Sequence, residues 1–373
     1  MYNIKLFNKI SKTGVSALTA DKYALSEDFT DYDAILVRSA KLHDVEFCDN
    51  LKCIARAGAG VNNIPVDRCT QNGIVVFNTP GANANAVKEL TMAGLLLASR
   101  KIGESITWAN TLENNDETEA LIEKEKNRFV GPEVYGKKLG VIGLGAIGVM
   151  VANAAHDLGM HVCGFDPYIS INAAWGLSRK IERAASADEI YATCDYITIH
   201  VPQTNDTKNM INKDTIAMMK DSVRILNFSR GGLVNSADMT EALESGKVAS
   251  YVTDFPAGLI GVKNVVAIPH LGASTPESEE NCAVMAADEI KEYLENGNIV
   301  NSVNFPTVTC PRGEGTRVCV IHENIPNMLS EISSAVAAKG INIDHMTNMS
   351  NKNTAYTILD IAGDISDETL RDM

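Results

Sequence analysis

The sequence predicts an α/β protein with two doubly wound parallel-sheet lobes and a small C-terminal α+β module. Three observations predict this fold. Short apolar strands alternate with amphipathic helices over most of the chain, and this alternation stops near residue 301. Such alternation is typical of parallel sheets, in which each helix connects one strand to the next. The third observation is the length of 373 residues, which exceeds what a single core usually fills.

The first lobe opens with four apolar segments that we expect to be strands, namely IKLFNKI, AILVRS, LKCIARAG and GIVVFNTP. Residues 87–110 follow as one long predicted helix with Gly103 inside it. Further strand–helix pairs run from residue 187 to residue 274, and residues 276–296 form another amphipathic helix. Proline and glycine then interrupt the periodicity over residues 301–316, which predicts a linker.

The C-terminal part has the order strand, helix, strand, strand, helix. RVCVIHE, INIDHMTNMS and NTAYTILDIA are predicted strands, PNMLSEISSAVAAKG is a predicted helix, and DETLRDM is the start of a second helix.

Composition and charge exclude several classes of partner. The net charge of −14 argues against nucleic acid and against an anionic membrane. No apolar run approaches the ~18 residues that cross a bilayer, and the N-terminus begins as a strand, so we expect a cytoplasmic protein. The eight cysteines contain no C-x-x-C pair, and no His/Cys cluster has zinc spacing. We therefore expect reduced thiols and no metal site.

Residues 139–166 carry the pattern of a dinucleotide-binding unit. An apolar strand leads into Gly143, Gly145 and Gly148, a helix follows, and a second strand ends at Asp166. In such a unit the glycines allow the tight turn, the approach of the pyrophosphate and the packing of helix on strand. The terminal acid accepts hydrogen bonds from the ribose hydroxyls and repels a 2′-phosphate, which favours NAD over NADP. The alternative is a glycine turn that binds nothing. The expected cofactor contacts are Gly143, Gly145, Ala146, Ile147, Gly148 and Asp166.

Three more segments place reactive side chains at the carboxyl ends of predicted strands, where doubly wound sheets bind ligands. Arg230 follows RILNFS, and a guanidinium can hold a carboxylate and polarise a carbonyl. Asp254 follows the next strand, where it can meet a carboxamide or a cationic ring. His270 follows Pro269, and histidine exchanges protons near neutral pH. Each also has a structural alternative, in which Arg230 caps a turn and His270 only makes structural hydrogen bonds.

Taken together, GLGAIG, Asp166, NFSRGG, TDFP and PHLGAS resemble the D-specific 2-hydroxyacid dehydrogenase family over residues 30–305. This resemblance implies Rossmann-like lobes and hydride transfer between C2 of a hydroxy acid and C4 of NAD. It implies that Arg230 orients the substrate carboxylate and carbonyl, and that His270 is the general acid/base. Asp254 would orient the nicotinamide carboxamide, and Pro202 would line the far side of the cofactor.

One departure from the family pattern concerns His270. The family usually places a Glu a few residues after the aspartate motif, hydrogen-bonded to the catalytic histidine. Here the sequence reads DFPAGLIG and contains no acid after Asp254. A histidine without its carboxylate is less well oriented, and its imidazolium is less stabilised.

The N-terminal segments indicate a substrate with two anionic groups. Arg38 and Arg56 each follow or end a predicted strand, and two arginines can bind a phosphate. These segments resemble family members that act on 3-phosphoglycerate. A basic run at residues 124–128 could add cations from a neighbouring subunit, although a solvated helix face is the alternative. The expected substrate contacts are Arg38, Ser39, Arg56, Ala59, Gly60 and Val61.

The C-terminal module resembles an ACT domain, an amino-acid-sensing unit. The resemblance implies that His322, Asn324 and Asn342 hold L-serine between two modules. The alternative is that His322 and Asn324 cap the helix beginning near Pro326. Asn327 stands where the family commonly has Gly, and a complete module is βαββαβ, so the last strand and part of a helix would be absent at Met373.

We therefore expect NAD-dependent oxidation of 3-phospho-D-glycerate to 3-phosphohydroxypyruvate, the first step of L-serine biosynthesis, by a homodimer or homotetramer. The alternatives are a glyoxylate or hydroxypyruvate reductase of the same family and a non-catalytic NAD sensor. The expected domains are a substrate domain (1–90 and 273–304), an NAD domain (91–272), a linker (305–315) and an ACT-like domain (316–373).

Overall fold

The structure is a computed structural model that describes residues 1–365 and Leu370, and the chain forms two compact units. Unit 1 comprises Met1–Asn83 and Pro276–Met373, and unit 2 comprises Ala84–Thr275. The helices are α1 (Val66–Gln71), α2 (Ala84–Ser99), α3 (Ile102–Ala109), α4 (Thr118–Glu125), α5 (Ala146–Asp157), α6 (Ile171–Gly176), α7 (Ala187–Thr193), α8 (Lys213–Met218), α9 (Ser236–Glu244), α10 (Pro276–Asn296) and α11 (Met328–Ala337).

The strands are β1 (Tyr2–Phe7), β2 (Tyr23–Ser26), β3 (Ala34–Val37), β4 (Cys53–Arg56), β5 (Val75–Asn78), β6 (Lys138–Ile142), β7 (His161–Phe165), β8 (Glu182–Arg183), β9 (Tyr196–Ile199), β10 (Val223–Asn227), β11 (Val248–Thr253), β12 (Val265–Ala267), β13 (Thr316–Glu323), β14 (Ile343–Ser350) and β15 (Thr354–Ile361). Short 3-10 turns follow α4 at Lys126–Phe129 and β10 at Gly231–Leu233.

Unit 1 contains a five-stranded parallel sheet in the order β2-β1-β3-β4-β5. The central strands are apolar on both faces, because β3 reads AILV and all four residues are buried. Helix α10 packs on β3, β4 and β5 and buries one face of alanines, Cys282 and Ile290. The prediction of a helix over residues 276–296 is therefore confirmed.

Unit 2 contains a seven-stranded parallel sheet in the order β12-β11-β10-β9-β6-β7-β8. The chain enters at β6, adds β7 and β8 on one side, and then returns to β9 on the other side. The strand order reverses at β6, which creates the crevice where doubly wound sheets bind nucleotides. This parallel α/β architecture confirms the predicted fold class.

The prediction of one helix over residues 87–110 is wrong. The helix ends at Ser99 and a second helix begins at Ile102, because Lys101 adopts a non-helical ψ of 48°. Gly131 crosses the end of α2 so closely that a Cβ there would lie 2.1 Å from the Ser99 carbonyl oxygen. Helix α2 packs on α5 and β11, whereas α3 has no buried residue.

The C-terminal module has the predicted order strand, helix, strand, strand over its described residues. Its sheet is antiparallel with the order β13-β15-β14, and Ile332 and Val336 of α11 are buried against it. The predicted second helix, DETLRDM, lies outside the described residues except for Leu370. Asn327 precedes α11 with a φ of 74°, a left-handed conformation that glycine adopts at no steric cost.

The segment 305–315, which we expected to be a linker, is partly buried in unit 1, whereas its residues 311–314 are exposed. Phe305, Val308 and Cys310 are buried in its core. Arg317 of β13 forms a buried, two-pronged ion pair with Asp360, with both contacts at 2.7 Å. The same guanidinium donates to the carbonyl oxygens of Asn296, Cys310 and Pro311. The module is thus attached to unit 1 by core packing and by one satisfied buried charge pair.

Candidate active site

The glycine loop between β6 and α5 shows three different reasons for glycine. Gly143 has a φ of +92°, and a Cβ there would lie 2.5 Å from the His200 carbonyl oxygen. A Cβ on Gly148 would lie 1.9 Å from the Gly143 carbonyl oxygen, so the helix and the loop touch. A Cβ on Gly145 would meet nothing within 4 Å. The space over Gly145 is therefore open, as a pyrophosphate approaching the backbone requires.

Gly145 is the N-cap of α5 and provides no side-chain cap. The first N–H groups of this helix, beginning at Ala146 and Ile147, thus lack a side-chain acceptor from the cap and carry the partial positive charge of the helix N-terminus. A phosphate diester is the kind of group that such a terminus binds.

Asp166 follows β7 and faces this loop. Its Oδ2 accepts a hydrogen bond from the Leu144 N–H at 2.8 Å, and its Oδ1 accepts one from the Tyr168 N–H at 2.8 Å. Each carboxylate oxygen retains a further lone pair for a hydroxyl donor. The residues present therefore fit a dinucleotide with a free 2′-hydroxyl.

The end of β9 contributes His200 and Pro202. The His200 ring lies 2.9 Å from the Thr198 hydroxyl through Nε2, and burial lowers the pKa of His200 to about 4. This imidazole is therefore neutral at neutral pH. The Pro202 carbonyl accepts a hydrogen bond from the Thr207 hydroxyl at 2.7 Å.

The Arg230 loop is held by two polar residues that sequence reasoning did not single out. Asn227 donates to the Arg230 carbonyl at 2.9 Å and accepts from the Ser229 N–H at 3.1 Å. The Ser229 hydroxyl donates to the Ile199 carbonyl at 2.6 Å. The Arg230 side chain is exposed and donates to the Ser229 carbonyl. The sequence contained a signal for Asn227, since this polar residue ends the mainly apolar strand β10.

Asp254 and His270 follow the neighbouring strands β11 and β12. Asp254 is 2% exposed, and its Oδ2 accepts a hydrogen bond from the Gly272 N–H at 3.2 Å. Its Oδ1 is buried without a hydrogen-bond partner among the described residues. Burial raises the pKa of Asp254, while the positive charges of His270 and Arg230 oppose that rise. The structure therefore brings Arg230, Asp254 and His270 together at one edge of the unit 2 sheet.

The predicted substrate residues of unit 1 lie at the carboxyl ends of β3 and β4, which are adjacent. The Arg56 Nε donates to the Arg38 carbonyl oxygen at 3.1 Å, so the two arginines are neighbours. Arg38 forms an ion pair with Glu279 of α10. Asn8 accepts hydrogen bonds from the backbone N–H groups of Ser39 and Ala40.

Ala59, Gly60 and Val61 form the loop after β4. Asn78 donates to the Ala59 carbonyl at 2.6 Å and so fixes this loop. The basic run at residues 124–128 makes local ion pairs, because Lys126 pairs with Glu123 and Arg128 pairs with Glu125. Lys126 and Arg128 are exposed and pair within their own segment, which agrees with the alternative of a solvated helix face for residues 124–128.

The three residues suggested for an effector lie at two ends of the C-terminal sheet. His322 pairs in register with Ala355 at the start of β15, whereas the Asn342 carbonyl accepts from the Ala362 N–H just beyond its end. The His322 ring contacts the Thr357 hydroxyl at 3.0 Å, and Asn324 donates to the Asn351 carbonyl. The alternative that His322 and Asn324 cap α11 is wrong, because Asn327 occupies the cap position without a side-chain cap.

Comparison with known proteins decides the family. Residues 92–272 match the family model of the D-isomer specific 2-hydroxyacid dehydrogenase NAD binding domain. Residues 92–272 belong to this dehydrogenase family. Their nucleotide site is accordingly an NAD site. Among the described residues, no helix is long and apolar enough to cross a membrane, and no group of three or more His, Cys, Asp or Glu side chains could hold a metal ion.

Relatives of this chain include two curated D-3-phosphoglycerate dehydrogenases. That of Methanocaldococcus jannaschii is 36% identical over 315 residues, which cover 82% of this chain and 58% of the relative. That of Bacillus subtilis is 33% identical over 329 residues, which cover 83% of this chain and 60% of the relative. The chain thus spans about three-fifths of the length of these relatives.

Solved structures share the fold of this chain. The NAD⁺-bound 3-phosphoglycerate dehydrogenase of Entamoeba histolytica matches with a TM-score of 0.60 at 23% identity, covering 81% of this chain and 98% of that one. A D-lactate dehydrogenase from Treponema pallidum matches with a TM-score of 0.66 at 21% identity, covering 81% and 99%. At these identities the likeness concerns the fold.

Proposed function

We propose that this dehydrogenase oxidises 3-phospho-D-glycerate to 3-phosphohydroxypyruvate with NAD, the first step of L-serine biosynthesis. The observation that carries the proposal is the set of Arg230, Asp254 and His270 at the carboxyl ends of three adjacent strands, on the sheet that also carries the nucleotide loop. The curated relatives that act on 3-phosphoglycerate support the choice of substrate.

In the proposed reaction, NAD supplies the hydride acceptor. His270 removes the proton from the C2 hydroxyl while the C2–H bond breaks, so the substrate loses one proton and one hydride and becomes a ketone. Arg230 holds the substrate carboxylate and stabilises the charge that develops on the carbonyl oxygen. Asp254, buried with one unpartnered oxygen, is placed to orient the carboxamide of the cofactor.

We assign recognition of the 3-phosphate to Arg38 and Arg56, supported by Ser39 and the 59–61 loop. The Arg56 side chain lies against the Arg38 backbone, and two arginines can match a phosphate in charge and in hydrogen bonding. In a chain of net charge −14, such local cations are needed to attract a substrate with two anionic groups. We accordingly propose that unit 1 binds substrate and that residues 91–272 bind NAD.

The test compares NAD reduction with 3-phosphoglycerate, glycerate and D-lactate. Replacing Arg38 and Arg56 with alanine should raise the KM for 3-phosphoglycerate far more than the KM for glycerate. An equal effect on both substrates would refute the phosphate assignment. Preferred turnover of glyoxylate or hydroxypyruvate would identify a reductase instead, and NAD binding without any turnover would identify a sensor.

We further propose that the protein is a homo-oligomer and that L-serine inhibits it through the C-terminal module. The segment at residues 102–129 supports self-association, because α3 and α4 bury no residue and expose Ile106, Leu121 and Ile122. His322→Ala should abolish serine inhibition in the full chain, whereas the matched control His345→Ala should retain it. Inhibition unchanged by His322→Ala would refute the serine assignment. Sedimentation analysis tests the oligomer, and a monomer at micromolar concentration would refute it.

A further inference from the structure

The imidazole of His270 is oriented in this protein without a hydrogen-bonded acid. Among the described residues, no acidic side chain forms a hydrogen bond with the ring, and the shortened DFPAGLIG loop supplies none. The aromatic partner of the ring is Phe255, with ring centroids 4.6 Å apart and planes at 47°. A separation in this range is typical of a stabilising contact between aromatic rings.

We propose that Phe255 is a positioning residue for His270, because its side chain contacts both the imidazole and the loop that carries Arg230. A Cβ on Gly231 would lie 3.2 Å from the Phe255 Cβ, so the phenylalanine packs directly against the residue after Arg230. This inference rests on the proposed function in one respect, namely that His270 is the acid/base group.

Phe255 is itself held in place by its neighbours. Its backbone N–H donates to the Thr253 hydroxyl at 3.0 Å, and Thr253 is fully buried at the end of β11. Asp254 fixes the other side of the histidine segment through its hydrogen bond to the Gly272 N–H. Residues 254 and 255 therefore hold the His270 segment by one hydrogen bond and one ring contact.

The groups that face His270 include two charged side chains and one aromatic ring. Asp254 and Arg230 are the charged side chains in this group, and they carry opposite charges. The aromatic face beside the imidazole limits the orientations of the ring. Here the phenylalanine supplies orientation, and the buried Asp254 supplies negative charge.

The experiment compares Phe255→Leu, which removes the ring, with Phe255→Tyr, which keeps it. Phe255→Leu should lower kcat by about two- to thirtyfold, the range that an aromatic–cation contact spans. It should also move the limb of the kcat/KM profile governed by His270 to lower pH. Phe255→Tyr should recover kcat to within about twofold. The affinity for NAD and the melting temperature should stay close to wild type in both variants.

Phe129→Leu is the matched control, since the Phe129 ring packs on Trp108 in the same unit. It should leave kcat and the pH profile unchanged. NMR titration of the His270 ring provides a readout that does not require turnover. A titration midpoint that is equal in wild type and Phe255→Leu, together with an unchanged kcat, would overturn the proposal. So would an equal loss of kcat in Phe255→Leu and Phe255→Tyr.

The two proposals fail in different ways. If wild type reduces NAD with none of the hydroxy acids, the proposed function fails, and the NMR midpoint alone decides whether Phe255 controls His270. If wild type is active and the Phe255 variants match it, the proposed function stands and the positioning role is refuted.

Discussion

Glu289 of α10 is a buried acid whose removal should stabilise the protein in a pH-dependent way. The residue is 7% exposed. Its Oε1 accepts a hydrogen bond from Asn301 at 2.8 Å, and its Oε2 is buried without a partner among the described residues. Burial raises the pKa of Glu289 from 4.5 to about 8. In the folded protein this carboxyl is therefore mainly protonated at pH 7, whereas in the unfolded chain it is ionised.

The raised pKa sets the sign and the size of the effect. Because the unfolded state releases the proton first, the destabilisation is absent below about pH 4.5, grows as pH rises, and is complete above about pH 8. Because pH 7 lies about 2.5 units above the ordinary glutamate pKa of 4.5, the destabilisation at pH 7 is about 3 kcal/mol of unfolding free energy. Glu289→Gln removes this pH-dependent destabilisation. The new amide N–H adds an offset that does not vary with pH, so the pH dependence of the difference is the diagnostic quantity.

Urea denaturation of wild type and Glu289→Gln at pH 5, 6, 7 and 8 measures that difference. We expect the stability of the variant relative to wild type to increase steadily over this range, at up to about 1.4 kcal/mol per pH unit. Glu277→Gln is the matched control, since it removes an exposed carboxylate from the first turn of the same helix. A difference for Glu289→Gln that is flat with pH, or that follows the control, would refute the reasoning.

Two further predictions concern the glycine loop and the C-terminal module. Gly148→Ala should strongly destabilise the protein without cofactor, because its Cβ would collide with the Gly143 carbonyl. Gly145→Ala should leave stability unchanged and weaken NAD binding, because a Cβ there meets nothing in the protein. Thermal melting and calorimetric titration with NAD check both, and equal melting temperatures for the two variants would contradict this. Arg317→Met should cost about 3–5 kcal/mol by leaving Asp360 buried and unpaired. The double replacement Arg317→Met with Asp360→Leu should recover most of that loss in urea denaturation, and a double variant as unstable as the single one would contradict the explanation.

The sequence predicted the fold class well because its signals were local. The parallel strands are apolar runs, and Gly148 contacts the carbonyl of Gly143 only five residues earlier in the chain. The break of the predicted long helix after Ser99 could not be read from periodicity, and there Gly131 from another segment packs on the Ser99 carbonyl oxygen. For the same reason, the burial of residues 305–310 in unit 1 depends on tertiary packing that composition does not show.

The sequence predicted the side chains of the candidate site that would contact ligands, but it did not predict the residues that hold them in place. Arg230, Asp254 and His270 are at strand ends, where topology alone places ligand contacts. Asn227, Ser229 and Phe255 act through hydrogen bonds and packing between segments that are far apart in sequence. Asn327 is an intermediate case, because its departure from glycine was visible in the sequence, but its left-handed backbone was not.

The ion pair between Arg38 and Glu279 leads to a prediction about substrate affinity. Glu279 lies in the first turn of α10 and holds the guanidinium that we assign to the phosphate. A phosphate that binds Arg38 must replace this carboxylate, and an exposed ion pair of this kind is worth about 0.2–1 kcal/mol. Glu279→Gln should therefore lower the KM for 3-phosphoglycerate by up to about fivefold, and the effect should shrink at high salt. Glu277→Gln removes the same charge two positions earlier and should change KM much less. A KM that rises in Glu279→Gln would mean that the acid positions Arg38 for the substrate and does not compete with it.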